Sequence, residues 1–121
     1  MSRATNNVAS RARRKKILTR AKGFYGKRKN SIRAGTEAVH RAGVYAYRDR
    51  RTRKRDFRRL WIIRINAAAH QHGLTYSRLI NGLKQLDVQI DRKQLAEMAV
   101  NDPAAFGRLT DMVQAELAKA S

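Results

Sequence analysis

Of the 28 lysines and arginines in this 121-residue chain, 21 fall within residues 1–59, where only Glu37, Asp49 and Asp56 oppose them. A segment carrying a formal charge of +18 cannot bury much of its own surface, because a buried cation needs a partner and the partners are missing. Residues 60–121 hold seven basic and six acidic side chains. The two halves therefore do different physical work, one binding charge and the other folding. A net charge of +19 calls for a polyanion, for which nucleic acid and anionic membrane are the general candidates.

The basic half reads as helix without a globular core. In residues 8–22 only Val8, Ala12, Ile17, Leu18 and Ala21 form a thin apolar stripe, and Arg11, Arg13, Arg14, Lys15, Lys16, Arg20 and Lys22 crowd the rest of the circumference. Their mutual repulsion should leave the segment largely disordered in isolation, with phosphate contacts supplying the order. Gly23 and Gly26 then break the run around Phe24 and Tyr25, a place for the chain to turn. Two readings of those rings stand side by side. They stack on unpaired bases, each contact contributing about 1–3 kcal/mol, or they pin the turn by packing on a neighbouring helix. Tyr25 is the better stacking candidate because its hydroxyl tolerates a wet interface.

After Lys27, Arg28 and Lys29, Asn30 or Ser31 can cap a new helix, and no proline occurs before Pro103. The next clear stop is Gly73. One helix over 31–72 would be roughly 60 Å long and would project from so small a domain. Gly35 and Gly43 weaken it by about 0.5–1 kcal/mol each unless another backbone, such as that of an RNA, approaches closely. Arg48, Arg51, Arg55 and Arg58 or Arg59 recur at three- and four-residue intervals along its middle, Arg50, Arg53 and Lys54 widen that basic face, and the spacing pairs Asp49 with Arg53. A merely solvated face does not account for charge of this density. The preference for arginine points to bidentate phosphate binding and base stacking, and so to structured RNA, although charge alone does not separate RNA from DNA.

The second half predicts a small helical globule. Phe57, Leu60, Trp61, Ile62, Ile63, Ile65 and Ala67–Ala69 supply a core-facing surface. Thr75 caps a helix with Tyr76, Leu79, Ile80, Leu83 and Leu86, and Asp91 with Gln94 starts another bearing Leu95, Met98, Ala99 and Val100. Asp102-Pro103 opens the last, whose buried side is Phe106, Leu109, Met112, Val113 and Leu117. Near the Gly73 turn, Arg64, Asn66, His70, Tyr76, Ser77, Arg78 and Asn81 form a polar patch. That patch either reads a folded RNA junction by shape or is an ordinary exposed turn. The fold class expected is all-α: a long basic helical extension, residues 1–58, followed by a small helical domain, residues 59–121.

Several classes are disfavoured. Cysteine is absent, which removes disulfide frameworks and thiolate zinc sites. His70 and His72 lie two apart on different helix faces, without a nearby carboxylate to complete a metal set. No phosphate-cradling glycine loop, nucleophile elbow or acidic cluster suggests an enzyme or a cofactor site. No signal peptide or bilayer-spanning stretch is visible, and residues 44–59 lack the strong apolar face of a membrane-binding helix.

The stretches ARRKKILTRAKGFYGKRK, AYRDRRTRKRDFRRLWIIRINAA, GLTYSRLINGL and IDRKQLAEMAVNDPAAF resemble, in collinear order over nearly the whole chain, the bacterial ribosomal protein family numbered twenty in the large subunit. The resemblance implies a long basic extension that threads between helices of 23S ribosomal RNA, a role in early subunit assembly, neighbouring large-subunit proteins as partners, and a cytoplasmic, ribosome-bound location. It also implies repression of the protein's own messenger RNA, mainly through the C-terminal domain. Carried onto this sequence, the RNA-binding set is Arg11, Arg13, Arg14, Lys15, Lys16, Arg20, Lys22, Phe24, Tyr25, Lys27, Arg28, Lys29, Arg33, Arg48, Arg50, Arg51, Arg53, Lys54, Arg55, Arg58, Arg59, Arg64 and Arg78. Thr5, Asn6 and Asn7 depart from the more basic, glycine-bearing start of the family, so contacts by residues 3–7 are not carried over. Beside a ribosomal RNA scaffold stand two other classes, a general DNA-compacting protein and a cationic membrane-active domain. Preference for folded RNA, for duplex DNA or for anionic vesicles separates them.

Overall fold

The computed structural model describes residues 3–121, and among them the regular structure is helical, with no strand. The elements are α1 (Asn7–Arg20), a 3-10 turn (Gly26–Lys29), α2 (Ile32–Gln71), α3 (Tyr76–Gln85), α4 (Arg92–Asn101) and α5 (Pro103–Lys119). The chain divides into two compact units, Met1–Arg51 and Thr52–Ser121, and the division falls inside α2.

In the first unit Asn6 caps α1 by accepting from the Ala9 N–H at 3.3 Å, and the side chains of α1 are nowhere fully buried. Ala21, at the C-cap, is the one fully buried apolar side chain among the described residues of this unit. Gly23 (φ 81°) and Gly26 (φ 62°) occupy the left-handed region and turn the chain. Ser31 sits just before α2, and its carbonyl accepts from the Gly35 N–H at 2.7 Å. A side chain at Gly35 would place its Cβ 3.0 Å from the Arg28 carbonyl oxygen and 3.5 Å from Leu18 Cδ2. The close backbone approach that the sequence left open thus comes, at Gly35, from this chain's own turn.

The second unit has a true core: Ile65 and Ala69 of α2, Leu74, Leu79 and Leu83 of the α3 region, Leu95 and Ala96 of α4, and Phe106 and Val113 of α5. Its helix ends follow the sequence signals. Thr75 accepts from Arg78 N–H, Asp91 from Gln94 N–H at 2.7 Å, and Asp102 from Ala105 N–H at 3.1 Å with Pro103 in the first turn. Gly73 (φ 75°) ends α2: its N–H bonds the His70 carbonyl and the Leu74 N–H reaches back to Ala69, a Schellman arrangement that delivers Leu74 into the core. Asp87 (φ 53°) ends α3 by the same pattern, with Val88 bonding Leu83.

The expected core needs correction at its edges. Phe57, Leu60 and Ile63 are 48%, 37% and 65% exposed, and Met112 is 51% exposed. Ala67 and Val100 also face outward. A helix can press only one stripe against its neighbours, and on α2 that stripe runs through Trp61, Ile65, Ala68 and Ala69. On α5 the interior position beside Val113 goes to Thr110, fully buried, whose hydroxyl donates to the Gly107 carbonyl at 2.7 Å. A hydroxyl satisfied within its own helix is buried at little cost.

Candidate nucleic-acid interface

Eight of the basic side chains of the first unit line three open grooves. Arg11, Arg14, Lys15, Lys22 and Lys29 line one, floored by Leu18 and Thr19. Arg28 and Arg41 line a second with Phe24, Glu37, Ala38 and Tyr45. Arg20 lines the third with Val39, His40, Gly43, Val44 and Tyr47. Arg13, Lys16, Lys27 and Arg33 lie on the same elements and are all exposed. The fold produces this grouping because α1 and the 3-10 turn close on the first turns of α2 at Gly35, where Leu18 and Ala21 meet it. Five cations around one groove repel one another and favour an anion between them.

The two rings of the glycine break separate. Phe24 is half-buried in the groove with Ala34, Ala38 and Tyr45, whereas Tyr25 is 92% exposed. The turn-packing reading thus fits Phe24, and the stacking reading keeps Tyr25.

On α2 the structure adds residues that charge reasoning overlooked. The Arg48 guanidinium lies over the Tyr45 ring at 4.8 Å, and those of Arg51 and Arg50 lie over Tyr47 at 4.2 and 6.0 Å. Such contacts restrain a long flexible cation and orient its N–H edge. The readable signal was a tyrosine followed three or four residues later by arginine. Asp49 pairs with Arg48, not with Arg53 as the spacing predicted: Arg48 Nε donates to Asp49 Oδ1 at 2.8 Å. Both groups are exposed at the surface, where long side chains reach a sequence neighbour as readily as one a turn away. The hydrogen bond holds the Asp49 carboxyl below its usual range and raises the Arg48 guanidinium further.

In the second unit Arg53, Lys54, Arg55, Arg58 and Arg59 are all exposed. Arg64 and Arg78 line different grooves, the first with Trp61, Lys93, Glu97 and Asn101 and the second with Gly73, Asn81 and Gln114. The polar patch near the Gly73 turn is partly structural. Asn66 Oδ1 accepts from the Tyr76 N–H at 3.1 Å, and the Tyr76 hydroxyl accepts from Arg92 Nε at 2.7 Å. The Gln114 amide donates to the His72 carbonyl. Asn66 and Tyr76 therefore brace the turn, a role that sequence spacing does not reveal because the partners lie ten and sixteen residues apart.

Among the described residues no group of three or more His, Cys, Asp or Glu is placed to hold a metal ion, and no helix is long and apolar enough to cross a membrane. What the arrangement offers is a set of guanidinium- and ammonium-lined surfaces with interleaved aromatic rings, suited to a phosphate backbone with accessible bases.

Comparison with known proteins agrees. The family model described as "Ribosomal protein L20" matches residues 3–109. The chain is 61% identical to the large ribosomal subunit protein bL20 of Methylibium petroleiphilum over 98% of its own length and 100% of that protein's. It is 58% identical to the bL20 of Roseiflexus castenholzii over 94% and 97% of the two chains, and 58% identical to the bL20 of Coxiella burnetii over 97% and 98%. These names describe a ribosomal component rather than a catalyst. A family match over residues 3–109 and relatives of this identity over nearly the full chain establish that the chain belongs to the ribosomal protein L20 family.

Proposed function

We propose that the chain is a structural constituent of the bacterial large ribosomal subunit that binds 23S ribosomal RNA directly and promotes early assembly of that subunit. The observation that carries this reading is the contrast between the units. Among the described residues the first has a single fully buried apolar side chain and grooves lined by up to five cations, whereas the second has a contiguous buried apolar core. A segment without a core takes its order from its ligand, so its folding and that of the RNA are coupled. This is the physical basis of an assembly role. The division of labour falls near residue 58: residues 1–58 supply affinity through counterion release, and residues 59–121 supply placement. Neighbouring large-subunit proteins complete the set of partners.

We propose as well that the chain represses its own message, mainly through the C-terminal unit. There Arg64 and Arg78 line grooves on helices that pack around a buried apolar core.

Competition binding at near-physiological salt, with a large-subunit RNA fragment against an equal length of duplex DNA, tests the central proposal. Preference for the RNA by about tenfold or more supports it. Equal binding would instead make the chain a general nucleic-acid-compacting protein. With roughly 6–10 phosphates engaged, the log–log salt slope is about −4 to −9, and removing residues 1–58 should flatten it.

A further inference from the structure

Two glycines interrupt the N-terminal part of α2, and only one has a reason within the chain. At Gly35 a side chain would press on the Arg28 carbonyl oxygen at 3.0 Å. At Gly43 an added Cβ would meet nothing within 4 Å. A glycine inside a helix weakens it, so a position with open space around it is better served by alanine unless something from outside comes close.

The surroundings of Gly43 state the chemistry of that visitor. Val39, His40, Gly43, Val44 and Tyr47 share one helix face by their spacing of three and four residues. With Arg20 of α1 they line an open groove of about 580 Å³, within the size range of small-ligand clefts. Val44 and Tyr47 remain 64% and 58% exposed, part of the exposed apolar surface of this strongly cationic unit. Tyr47 is already restrained, with the Arg51 guanidinium 4.2 Å from its centroid and that of Arg50 at 6.0 Å. An aromatic ring with guanidinium groups over one part of it, a gap where a Cβ is missing and the Arg20 guanidinium in the lining match a base with its phosphate. Paired bases in a duplex have no free face to offer such a ring. An acidic peptide would use the guanidinium groups and leave the ring and the gap unexplained.

We propose that the groove beside Gly43 and Tyr47 takes one unpaired nucleotide of RNA, the base against the Tyr47 ring over Gly43 and the phosphate on Arg20, Arg50 or Arg51. The site rests on the RNA-binding reading given above, and it deepens that reading by assigning a place where base stacking adds to charge.

The test uses the full chain and a transcribed large-subunit RNA fragment, with affinity measured across a salt series. Tyr47→Leu lowers affinity by about 5- to 100-fold, the range expected for a single base stack, while Tyr47→Phe stays within about twofold. The salt slope is unchanged in both, because stacking releases no counterions. Gly43→Leu lowers affinity to a similar degree, although its helix content without RNA, read by circular dichroism, equals or exceeds that of the parent. If the parent protein prefers the RNA fragment over duplex DNA and neither Tyr47→Leu nor Gly43→Leu weakens binding, the nucleotide site is wrong and RNA binding stands. A parent protein that binds both nucleic acids equally overturns the RNA reading and the site with it.

Discussion

Gly82 of α3 and Val113 of α5 approach so closely that a Cβ on Gly82 would lie 2.4 Å from Val113 Cγ1. Gly82 is buried and Val113 is fully buried. The branched valine has few rotamers through which to withdraw.

Gly82→Ala is accordingly expected to destabilise the protein, even though alanine is the better helix former. Overpacking costs about 1–3 kcal/mol, against roughly 0.5–1 kcal/mol gained in helix propensity. Thermal unfolding would show a lowered Tm, and adding Val113→Ala should cost less in the Gly82→Ala background than in the parent. Additive losses from the two changes would mean that the helices separate without strain.

Arg55 and Arg58 lie outside the core and are exposed. Replacing both with alanine should weaken RNA binding and reduce the magnitude of the salt slope by about 2, one unit for each phosphate that is no longer neutralised. Helix content should remain unchanged. A collapse of helicity, read by circular dichroism, would show that their stems support α2 by packing.

Asp49 sits among arginines and bonds Arg48 at 2.8 Å. Its carboxyl is held below the ordinary aspartate range by that hydrogen bond. What the pair contributes to stability is therefore present above the pKa of a free aspartate, and it is lost as pH falls through the lowered folded value. Both groups are exposed, so the contribution is slight. Asp49→Asn should leave the Tm unchanged at neutral pH and tighten RNA binding, most clearly at low salt where the removed charge is least screened. Weaker binding at every salt concentration would instead assign Asp49 the job of aiming Arg48 at the RNA.

Much of the fold was legible because its signals are local. Thr75, Asp91 and Asp102-Pro103 each mark the start of a helix whose cap the structure contains, and the stretch without proline up to Gly73 is the single helix α2. The basic character of the candidate interface was legible for the same reason, since 21 cations facing three acids have no partners to hide with. The aromatic part was less so. The charge pattern gives Tyr45 and Tyr47 no part, and their place beside the cations appears only where the guanidinium groups of Arg48 and Arg51 lie against their rings.

The all-helical class, the helix starts and the separation of a charge-binding half from a folding half follow from the order of residues alone. These depend on backbone hydrogen bonding within a few residues and on net charge, which needs no geometry. Helix packing is what turns Phe57, Leu60, Ile63 and Met112 outward while Thr110 goes in, sets Asn66 to brace Tyr76, and makes Gly35 and Gly82 filled spaces while Gly43 is an open one. Each of these depends on which stripe of one helix meets which stripe of another, and periodicity fixes that angle only to within a residue or so.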